Sequence, residues 1–408
     1  MTRLLPPLRL VGATTLRDGA LQSRSVAIAD GRITHGPLPE VDLTGYYVLP
    51  GMIDLHGSAF GRHLAPQPTA QFDPRTALAS TDREAAANGV TTAYLSHGWS
   101  WHGGMHGPDF AETFMAAHQL YRSDALTDLR VALQCETHMV DTAARLMAAV
   151  RRYGVGYVVF QNTLDDMLET LRDEALVSGE LTALDAAGLQ AFRQRLRRAQ
   201  ERSREVPRHL CRLAEVFDEM GVLYGSSGDL DGETRETYAM IGAKICEFPR
   251  SRRSAAAAKA MGDPVVLSAS SAFHSSPQKS RVSAIELVKQ QTCDALASDF
   301  YYPSLLKAVW MLVDNHGVSL PAAWSLVSER PADIMRLPDR GIIARGRRAD
   351  LVIVNRETRM IEATIVGGRL AFLAGEAGAR FLSHGTLPQA AALHAAKTVM
   401  RPHHQPRN

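Results

Sequence analysis

Short apolar runs alternate with helical stretches through the middle of the chain, and this alternation limits the possible folds more than any other feature. Most of the runs contain β-branched residues, as strands buried on both faces do. The eight predicted strands are Tyr47–Asp54, Thr91–Leu95, Val131–Cys135, Tyr157–Gln161, Val222–Tyr224, Lys244–Phe248, Val265–Ser268 and Ala295–Ser298. Eight strand–helix units predict a closed parallel barrel, with its active site at the carboxyl ends of the strands.

Both ends of the chain show hairpins instead. Residues 25–34 place the turn Asp30-Gly31 between two short strands, and residues 361–372 place Gly367-Gly368 between two more. Because chain termini tend to lie close together, residues 1–50 and 340–385 are predicted to form one composite β-sandwich. The expected fold is therefore of the α/β class: a distorted (β/α)₈ TIM barrel over residues 51–339 with this small second domain.

Residues 164–218 interrupt the rhythm and are predicted to be a helical insertion. An arginine-rich helix is expected from Leu181 to Asp218, with Glu201 and Glu205 among its arginines. Two interpretations stay open: a solvated helix face, or an arm over the active site or at a subunit contact. Residues 386–408 are small, polar and basic, which predicts a flexible tail.

Charge, apolar runs and cysteine spacing limit the possible partners and cellular location of the protein. The formal net charge of +2 argues against nucleic acid or a membrane surface as a partner. No apolar run reaches the ~18 residues of a membrane span, and the first residues do not resemble a signal peptide. The four cysteines form no CxxC pair. Free thiols in the cytoplasm are therefore favoured over disulfides.

The first predicted barrel strand ends at His56, where an imidazole would face the barrel mouth and could bind a metal. Its surroundings, VLPGMIDLHG, and the later stretch RPADIMRLPDRGIIARGRRADLVIVN resemble the amidohydrolase superfamily. The hairpin-rich N-terminus extends this resemblance over nearly the whole chain. Within the superfamily, the chain is most similar to the family of phosphonate-metabolism diphosphatases of the carbon–phosphorus lyase pathway. Those enzymes remove pyrophosphate from α-D-ribose 1-methylphosphonate 5-triphosphate.

Four local runs carry the closer resemblance. The family runs H-T-D-N-x-x-K/R-H-x-x-P-R-P, R-C-E, EFPTT and SSDYYPASLL are similar to His56–Pro68, Gln134–Glu136, Glu247–Ser251 and Ala297–Leu306. The resemblance implies a hydrolase in which a bound zinc, manganese or iron ion activates water. Of the family's metal-site pattern, His56, Glu136 and Asp299 remain.

Several metal-ligand positions differ from the family pattern. Ser58 stands where the family has Asp, and Asn162 stands where it has His. The family's S-H-D-D run is Ser226–Asp229 here, and its S-H-S-G-N run is Pro277–Arg281, so two further His residues are lost. Because serine and asparagine are poor zinc ligands, one metal ion is favoured over two, and a site without metal stays open.

The resemblance and the residue chemistry together suggest roles. His56, Glu136 and Asp299 would hold one metal with an open position, and Asp299 would be the general base for its water. His97 and His138 are candidates to restore lost ligands; the alternative is that such imidazoles bond loop backbones. The predicted substrate-binding residues are Arg62, His63, Asp229, Lys279 and Tyr301, with the cations on phosphate oxygens.

Three functions remain open at this point. The first is a metal-dependent hydrolase of a phosphorylated small molecule, similar to the diphosphatases. The second is an amidohydrolase-like enzyme that cleaves another bond, such as a cyclic amide, with one metal or none. The third is a binding or regulatory homologue without catalysis. The superfamily resemblance also suggests a homo-oligomer, and fold alone cannot choose among the functions.

Overall fold

The computed structural model describes residues 3–67, 70–172, 185–273 and 282–383. Its N-terminal strands are β1 Leu8–Val11, β2 Thr14–Arg17, β3 Ala20–Gln22, β4 Val26–Ala29, β5 Arg32–Thr34, β6 Glu40–Asp42 and β7 Tyr46–Pro50. Asp30 and Gly31 join β4 to β5 with φ values of 51° and 75°. Positive φ at both central residues is the geometry of a tight two-residue hairpin, as predicted.

The next strands form one parallel sheet in chain order. They are β8 Met52–Gly57, β9 Val90–Trp99, β10 Asp128–Glu136, β11 Tyr157–Gln161, β12 Leu223–Ser227, β13 Ile245–Glu247, β14 Val265–Ser268 and β15 Ala295–Ala297. The backbone N–H of Asp299 donates to the carbonyl of His56 at 2.9 Å, and that of Ser58 donates to the carbonyl of Asp299 at 2.6 Å. These bonds join the last strand to the first, which confirms the (β/α)₈ barrel.

The C-terminal strands β16 Leu351–Asn355, β17 Ile361–Val366 and β18 Arg369–Leu373 join those of the N-terminus. One sheet has the order β5-β4-β1-β6 and the other β18-β17-β16-β7-β2-β3. Residues from both sheets share one core, which includes Leu10, Ile28, Val48 and Ile353. The predicted composite β-sandwich is therefore present, while the exact domain boundaries stay a prediction.

The predicted strand Tyr47–Asp54 is two strands, because the chain leaves the sandwich and enters the barrel at Gly51. A Cβ atom at Gly51 would lie 2.3 Å from the Thr91 hydroxyl oxygen. Only glycine fits this close approach, and it marks the crossing from β7 to β8.

The helices cover the outside of the barrel and its mouth. They are α1 Ala59–Leu64, α2 Pro74–Ala87, α3 Pro108–Tyr121, α4 Ala143–Tyr153, α5 Leu164–Arg172, α6 Ala186–Glu201, α7 Val206–Met220, α8 Gly232–Met240, α9 Arg252–Ala260, α10 Ala284–Lys289, α11 Pro303–His316, α12 Leu320–Ser325, α13 Glu329–Ile334 and α14 Gly375–Ser383. Local signals set several ends. The Asp73 carboxylate accepts the first free N–H groups of α2, and α4 ends at Gly154 in the left-handed region.

The long helix predicted from Leu181 to Asp218, of which residues 181–184 lie outside the described residues, is wrong in one respect: α6 and α7 are separated by a short turn at Ser203–Glu205. A proline in the first turn of α7 starts the new helix, because proline cannot continue an earlier one. Phe192 and Leu196 of α6 are buried against Trp101 and Leu164. This packing favours the arm interpretation over a wholly solvated helix.

The structure also bears on the predictions about membrane spans and cysteines. No helix in residues 3–67, 70–172, 185–273 and 282–383 is long and apolar enough to cross a membrane. All four cysteines are free thiols, as predicted. The predicted flexible tail, residues 386–408, lies outside the described residues.

Candidate active site

A buried histidine–glutamate pair lies at the carboxyl ends of the barrel strands. His56 Nδ1, at the end of β8, is 2.8 Å from Glu247 Oε2 at the end of β13. The side chains are 11% and 0% exposed. The Tyr157 hydroxyl donates to the other oxygen of Glu247 at 2.7 Å. Glu247 is therefore held from two sides, and it fixes the orientation of the His56 ring.

The surroundings of His56 favour its protonated form. Burial alone would lower its pKa, but the nearby carboxylates of Glu247, Asp299 and Asp54 outweigh burial and raise the pKa of His56 above its usual value. The Phe248 ring covers one side of the imidazole, with ring centroids 4.7 Å apart. The imidazolium is thus held in place among three carboxylates.

Asp299 lies beside His56 at the seam that closes the barrel. Its backbone has φ of 64°, a left-handed conformation that is uncommon outside glycine. Its Oδ2 accepts a hydrogen bond from the Ser268 hydroxyl at 3.0 Å. Its backbone pairs with His56 and Ser58 across the seam. The structure therefore brings together two of the predicted site residues, and an unusual backbone at such a position is typical of functional sites.

The same seam contains a buried aspartate. Both oxygens of Asp54 accept from Ser298, from its backbone N–H at 2.8 Å and its hydroxyl at 2.5 Å. Burial raises the pKa of Asp54 despite these bonds. Asp54 thus ties β8 to the residue just before Asp299 and holds the seam in register.

Glu136 has a different environment from the one predicted. Its oxygens accept from the Thr163 hydroxyl at 2.6 Å, the Thr163 N–H at 3.2 Å and the Trp101 indole at 3.3 Å. Burial raises the pKa of Glu136 to about 7. Trp101 in turn packs under Phe192 of the arm. Glu136 therefore connects two loops at the barrel mouth to the arm, and none of these contacts involves His56 or Asp299.

The two histidines proposed to restore lost ligands lie elsewhere. His97 shares the outer face of β9 with Leu95 and Trp99, and it stacks on Phe114 with centroids 4.6 Å apart. Burial lowers the pKa of His97 to about 3. His138 contacts the Thr137 and Ser203 hydroxyls at 3.1 and 3.3 Å. The structure brings neither residue to His56, so their role as ligands stays a prediction that this placement does not favour.

Three predicted substrate-binding residues form one group. Arg62 binds both oxygens of Glu84 at 2.6 and 2.7 Å, and His63 Nε2 is 2.5 Å from the same carboxylate. The Arg62 guanidinium lies 5.8 Å from the Tyr301 ring centroid and also bonds the Phe300 carbonyl. Tyr301 lies two residues after Asp299, and Arg62 and His63 lie on α1, the helix that follows His56 in the chain. Glu84 balances part of its charge, so an incoming anion would compete with that carboxylate.

The other two predicted substrate-binding residues are not part of this group. Asp229 is 1% exposed and pairs with Arg235 at 3.3 Å and with the Ser226 hydroxyl at 2.8 Å. Arg235 is fully buried and also lies 3.4 Å from Asp263. These contacts form an ion-pair cluster inside the fold rather than a surface open to substrate. Lys279 lies outside the described residues.

Comparison with known proteins supports the family seen in the sequence. The pattern of the amidohydrolase family matches residues 47–371. The chain belongs to the amidohydrolase family. It is therefore placed among hydrolases, and members of this superfamily are generally metal-dependent.

Individual relatives agree with this assignment. This amidohydrolase-family chain is 26% identical over 365 residues to alpha-D-ribose 1-methylphosphonate 5-triphosphate diphosphatase of Escherichia coli (strain K12). The match covers 86% of this chain and 95% of the relative. The beta-aspartyl dipeptidase of Fervidobacterium islandicum AW-1 superposes with a TM-score of 0.61 at 14% identity, over 90% of this chain and 97% of its own. The 5-methylcytosine deaminase of Klebsiella pneumoniae superposes with a TM-score of 0.61 at 13% identity, over 90% of this chain and 98% of its own. The two structures show a shared fold.

The described residues of this amidohydrolase-family member do not fit a two-metal centre. Within them, no three His, Cys, Asp or Glu side chains converge closely enough to hold a metal ion. His56 and Asp299 are adjacent, but the oxygens of Glu136 bind Thr163 and Trp101. The Ser58 hydroxyl, at an altered ligand position, donates to the Asp299 carbonyl at 3.0 Å.

Sequence reasoning missed Glu247 and Tyr157 as site residues. A signal for both was present, because side chains alternate across a strand. Tyr157 and Ile245 point into the barrel core, so Glu247, two residues after Ile245, faces the same interior. A carboxylate on the inward face at a strand end is an unusual feature of an apolar barrel strand. What the sequence could not show is the contact with His56, since 191 residues separate the two.

Proposed function

We propose that this protein hydrolyses a phosphorylated small molecule at the barrel mouth, with Asp299 as general base and His56 as general acid. The observation that carries the proposal is the 2.8 Å contact between His56 and buried Glu247, next to Asp299 at the barrel seam. An acid and a base held side by side at the carboxyl ends of barrel strands match the needs of hydrolysis.

Asp299, His56 and Glu247 each have one role in the proposed reaction. Asp299 takes a proton from a water molecule, whose oxygen attacks the phosphorus atom. As the new P–O bond forms, the bond to the leaving oxygen breaks, and His56 Nε2 gives that oxygen a proton. Glu247 touches neither reactant; it positions the imidazolium and keeps it charged. Preorganised groups of this kind typically contribute about 10²–10⁴-fold each.

A phosphorylated substrate is supported by two features. The relative from Escherichia coli is named as a diphosphatase of a triphosphate. Arg62, His63 and Tyr301 lie together next to Asp299, and a phosphate could replace Glu84 as the partner of Arg62 and His63. Lys279 remains a further candidate. The cytoplasmic location and a homo-oligomeric state also remain proposals.

A substrate panel tests the proposal directly. The full chain would be assayed on nucleoside triphosphates, sugar phosphates, cyclic amides and β-aspartyl dipeptides, with phosphate, pyrophosphate and amine release as readouts. We expect turnover of phosphate anhydrides or esters, which His56→Gln abolishes. Turnover of amides alone would favour the other open function, cleavage of a C–N bond, and no turnover at all would favour a binding homologue.

Metal content gives an independent prediction. We expect at most about one equivalent of zinc, manganese or iron in protein purified without chelator, because a zinc site usually needs three or four donors and a metal on His56 would have to displace its proton. Asp299→Ala should lose whatever is bound. Elemental analysis of both proteins is the measurement, with Asp124→Ala, a change of an exposed carboxylate, as the control. Two equivalents in the wild type would contradict the one-ion proposal.

The pH dependence tests the role of Glu247. His56 must be protonated to act as an acid, so activity should be present below its pKa and lost above it. Glu247 is the largest influence that raises this pKa. Glu247→Gln should therefore move the alkaline limb of the kcat/KM profile to lower pH. Tyr157→Phe, which removes one hydrogen bond to Glu247 without removing charge, is the matched control. An alkaline limb that stays in place in Glu247→Gln would exclude His56 as the acid.

A further inference from the structure

A cavity lies at the amino-terminal face of the barrel, opposite the candidate active site. Its volume is about 440 Å³, within the usual size of a small-molecule site. It lies where β10 begins, next to the residues that precede β11 and β12. The lining residues that matter are Tyr94, Arg122, Arg130, Tyr153, Leu223 and Arg336.

One arginine of this cleft is already paired. Arg130 Nε and Nη2 bind Asp128 Oδ2 at 3.2 and 3.0 Å, and Nη1 donates to the Tyr94 hydroxyl at 3.3 Å. Arg340 binds the same oxygen of Asp128 at 2.6 Å. Although burial opposes it, the two guanidinium groups lower the pKa of Asp128. Asp128 is thus ionised and shared between two cations, so it is not free to neutralise others.

Two other arginines of the cleft have no such partner. Arg122 and Arg336 are exposed, and their side chains make no hydrogen bond or ion pair with any part of the chain that the structure describes. Arg336 has φ of 53°, and its backbone N–H is bonded to the Asp333 carbonyl at 3.1 Å. An exposed guanidinium without a partner in the protein is available to bind an anion.

The charge of the lining is therefore positive, and its walls are partly apolar. The lining contains three arginines, Arg122, Arg130 and Arg336, but one carboxylate, Asp128. His118 adds no charge, because burial lowers its pKa. Leu223, Met335 and Leu337 and the rings of Tyr94 and Tyr153 complete the walls. Guanidinium groups beside apolar walls suit an anion that carries a ring.

We propose that this cleft binds a small organic anion, whose phosphate or carboxylate group is held by Arg122 and Arg336 and whose ring lies against Tyr153 and Leu223. The site is separate from the barrel mouth and does not depend on the proposed hydrolysis. The barrel's reactions take place at the opposite face, so an anion here is a ligand and not a substrate.

Isothermal titration calorimetry on the full chain tests this site. Phenylphosphonate and benzoate are the anionic probes, and benzamide is the uncharged comparison. We expect one or both anions to bind and benzamide not to bind; the stronger anion identifies the preferred group. Arg122→Ala and Arg336→Ala should each weaken binding about tenfold, since a charge-assisted hydrogen bond contributes that much. Arg151→Ala, a change of an exposed arginine on α4, should have no effect.

Further variants separate this site from the barrel mouth. His56→Gln should leave binding of the anions unchanged, because His56 lies at the other face. Binding lost in His56→Gln but kept in Arg122→Ala and Arg336→Ala would overturn the proposal. Absence of anion binding in the wild type would also overturn it. If sedimentation then showed a dimer that Arg336→Ala dissociates, the cleft would be a subunit contact instead.

Discussion

We expect Asp299→Asn to lower kcat by about 10²–10⁴-fold without a comparable change in stability. The amide cannot take a proton from water, so the variant loses the general base. Asparagine adopts the left-handed backbone found at Asp299 more readily than most residues, and the backbone bonds across the barrel seam stay in place. Steady-state kinetics on the best substrate of the panel, together with thermal unfolding, measure both effects.

Asp18→Asn is the matched control for this prediction. Asp18 is an exposed aspartate with φ of 51° in the turn between β2 and β3. The two variants make the same chemical change on the same backbone conformation, and only one lies at the barrel mouth. If Asp299→Asn kept kcat within about twofold of the wild type, Asp299 would not be the base. A large loss in both variants would point to a general effect of the substitution.

The fold was predictable because its signals are local. Alternating apolar runs identified the barrel strands, and Asp30-Gly31 identified a hairpin with the observed backbone. The errors have physical reasons as well. The stretch predicted as one strand, Tyr47–Asp54, contains Gly51, where the chain passes from the sandwich to the barrel. Glycine is required there because of the close approach of Thr91, which is distant in the sequence. The break between α6 and α7 depends on a proline in the first turn of α7, while the helical pattern on both sides of it predicts one continuous helix.

The candidate site was predictable only in part, because it depends on contacts between distant residues. His56 and Asp299 follow from their positions at strand ends, and the seam brings them together. Strand alternation could have shown that His97 faces outward with Leu95. No local pattern shows that Glu136 binds Trp101 and Thr163, since both partners lie on other loops. The largest difference between the expected and observed sites is that Glu136 binds Trp101 and Thr163 and contacts neither His56 nor Asp299.

The largest effect on stability is expected from Arg235→Met. Arg235 is fully buried between Asp229 and Asp263, with its guanidinium 3.3 and 3.4 Å from their carboxylates. Methionine fills much of the space but leaves Asp229 without a cation and Asp263 with the influence of Lys244 alone. Removing one partner of a buried ion pair costs about 3–5 kcal/mol of unfolding free energy. Urea unfolding of wild type and variant at neutral pH measures the loss.

The pH dependence of that loss follows from the carboxylates. Burial raises the pKa of Asp229 and of Asp263, and Arg235 lowers both. Without Arg235 their folded-state pKa values rise further above those of the unfolded chain. The penalty is then full above the raised folded-state pKa values and shrinks as pH falls through them toward the unfolded values, so the variant should regain part of its stability in acid. Arg145→Met, which breaks an exposed pair with Asp109 and Glu112, should cost less than about 1 kcal/mol at any pH.

The same variant separates the two roles of Asp229. If Asp229 is structural, folded Arg235→Met protein should keep the KM of the wild type, because the ion-pair cluster does not touch the substrate. If Asp229 binds substrate, the change in its charge and position should raise KM in proportion to the lost contact. Kinetics below the unfolding transition distinguish these outcomes. A raised KM would return Asp229 to the substrate-binding group and extend the site from the barrel seam to the loop after β12.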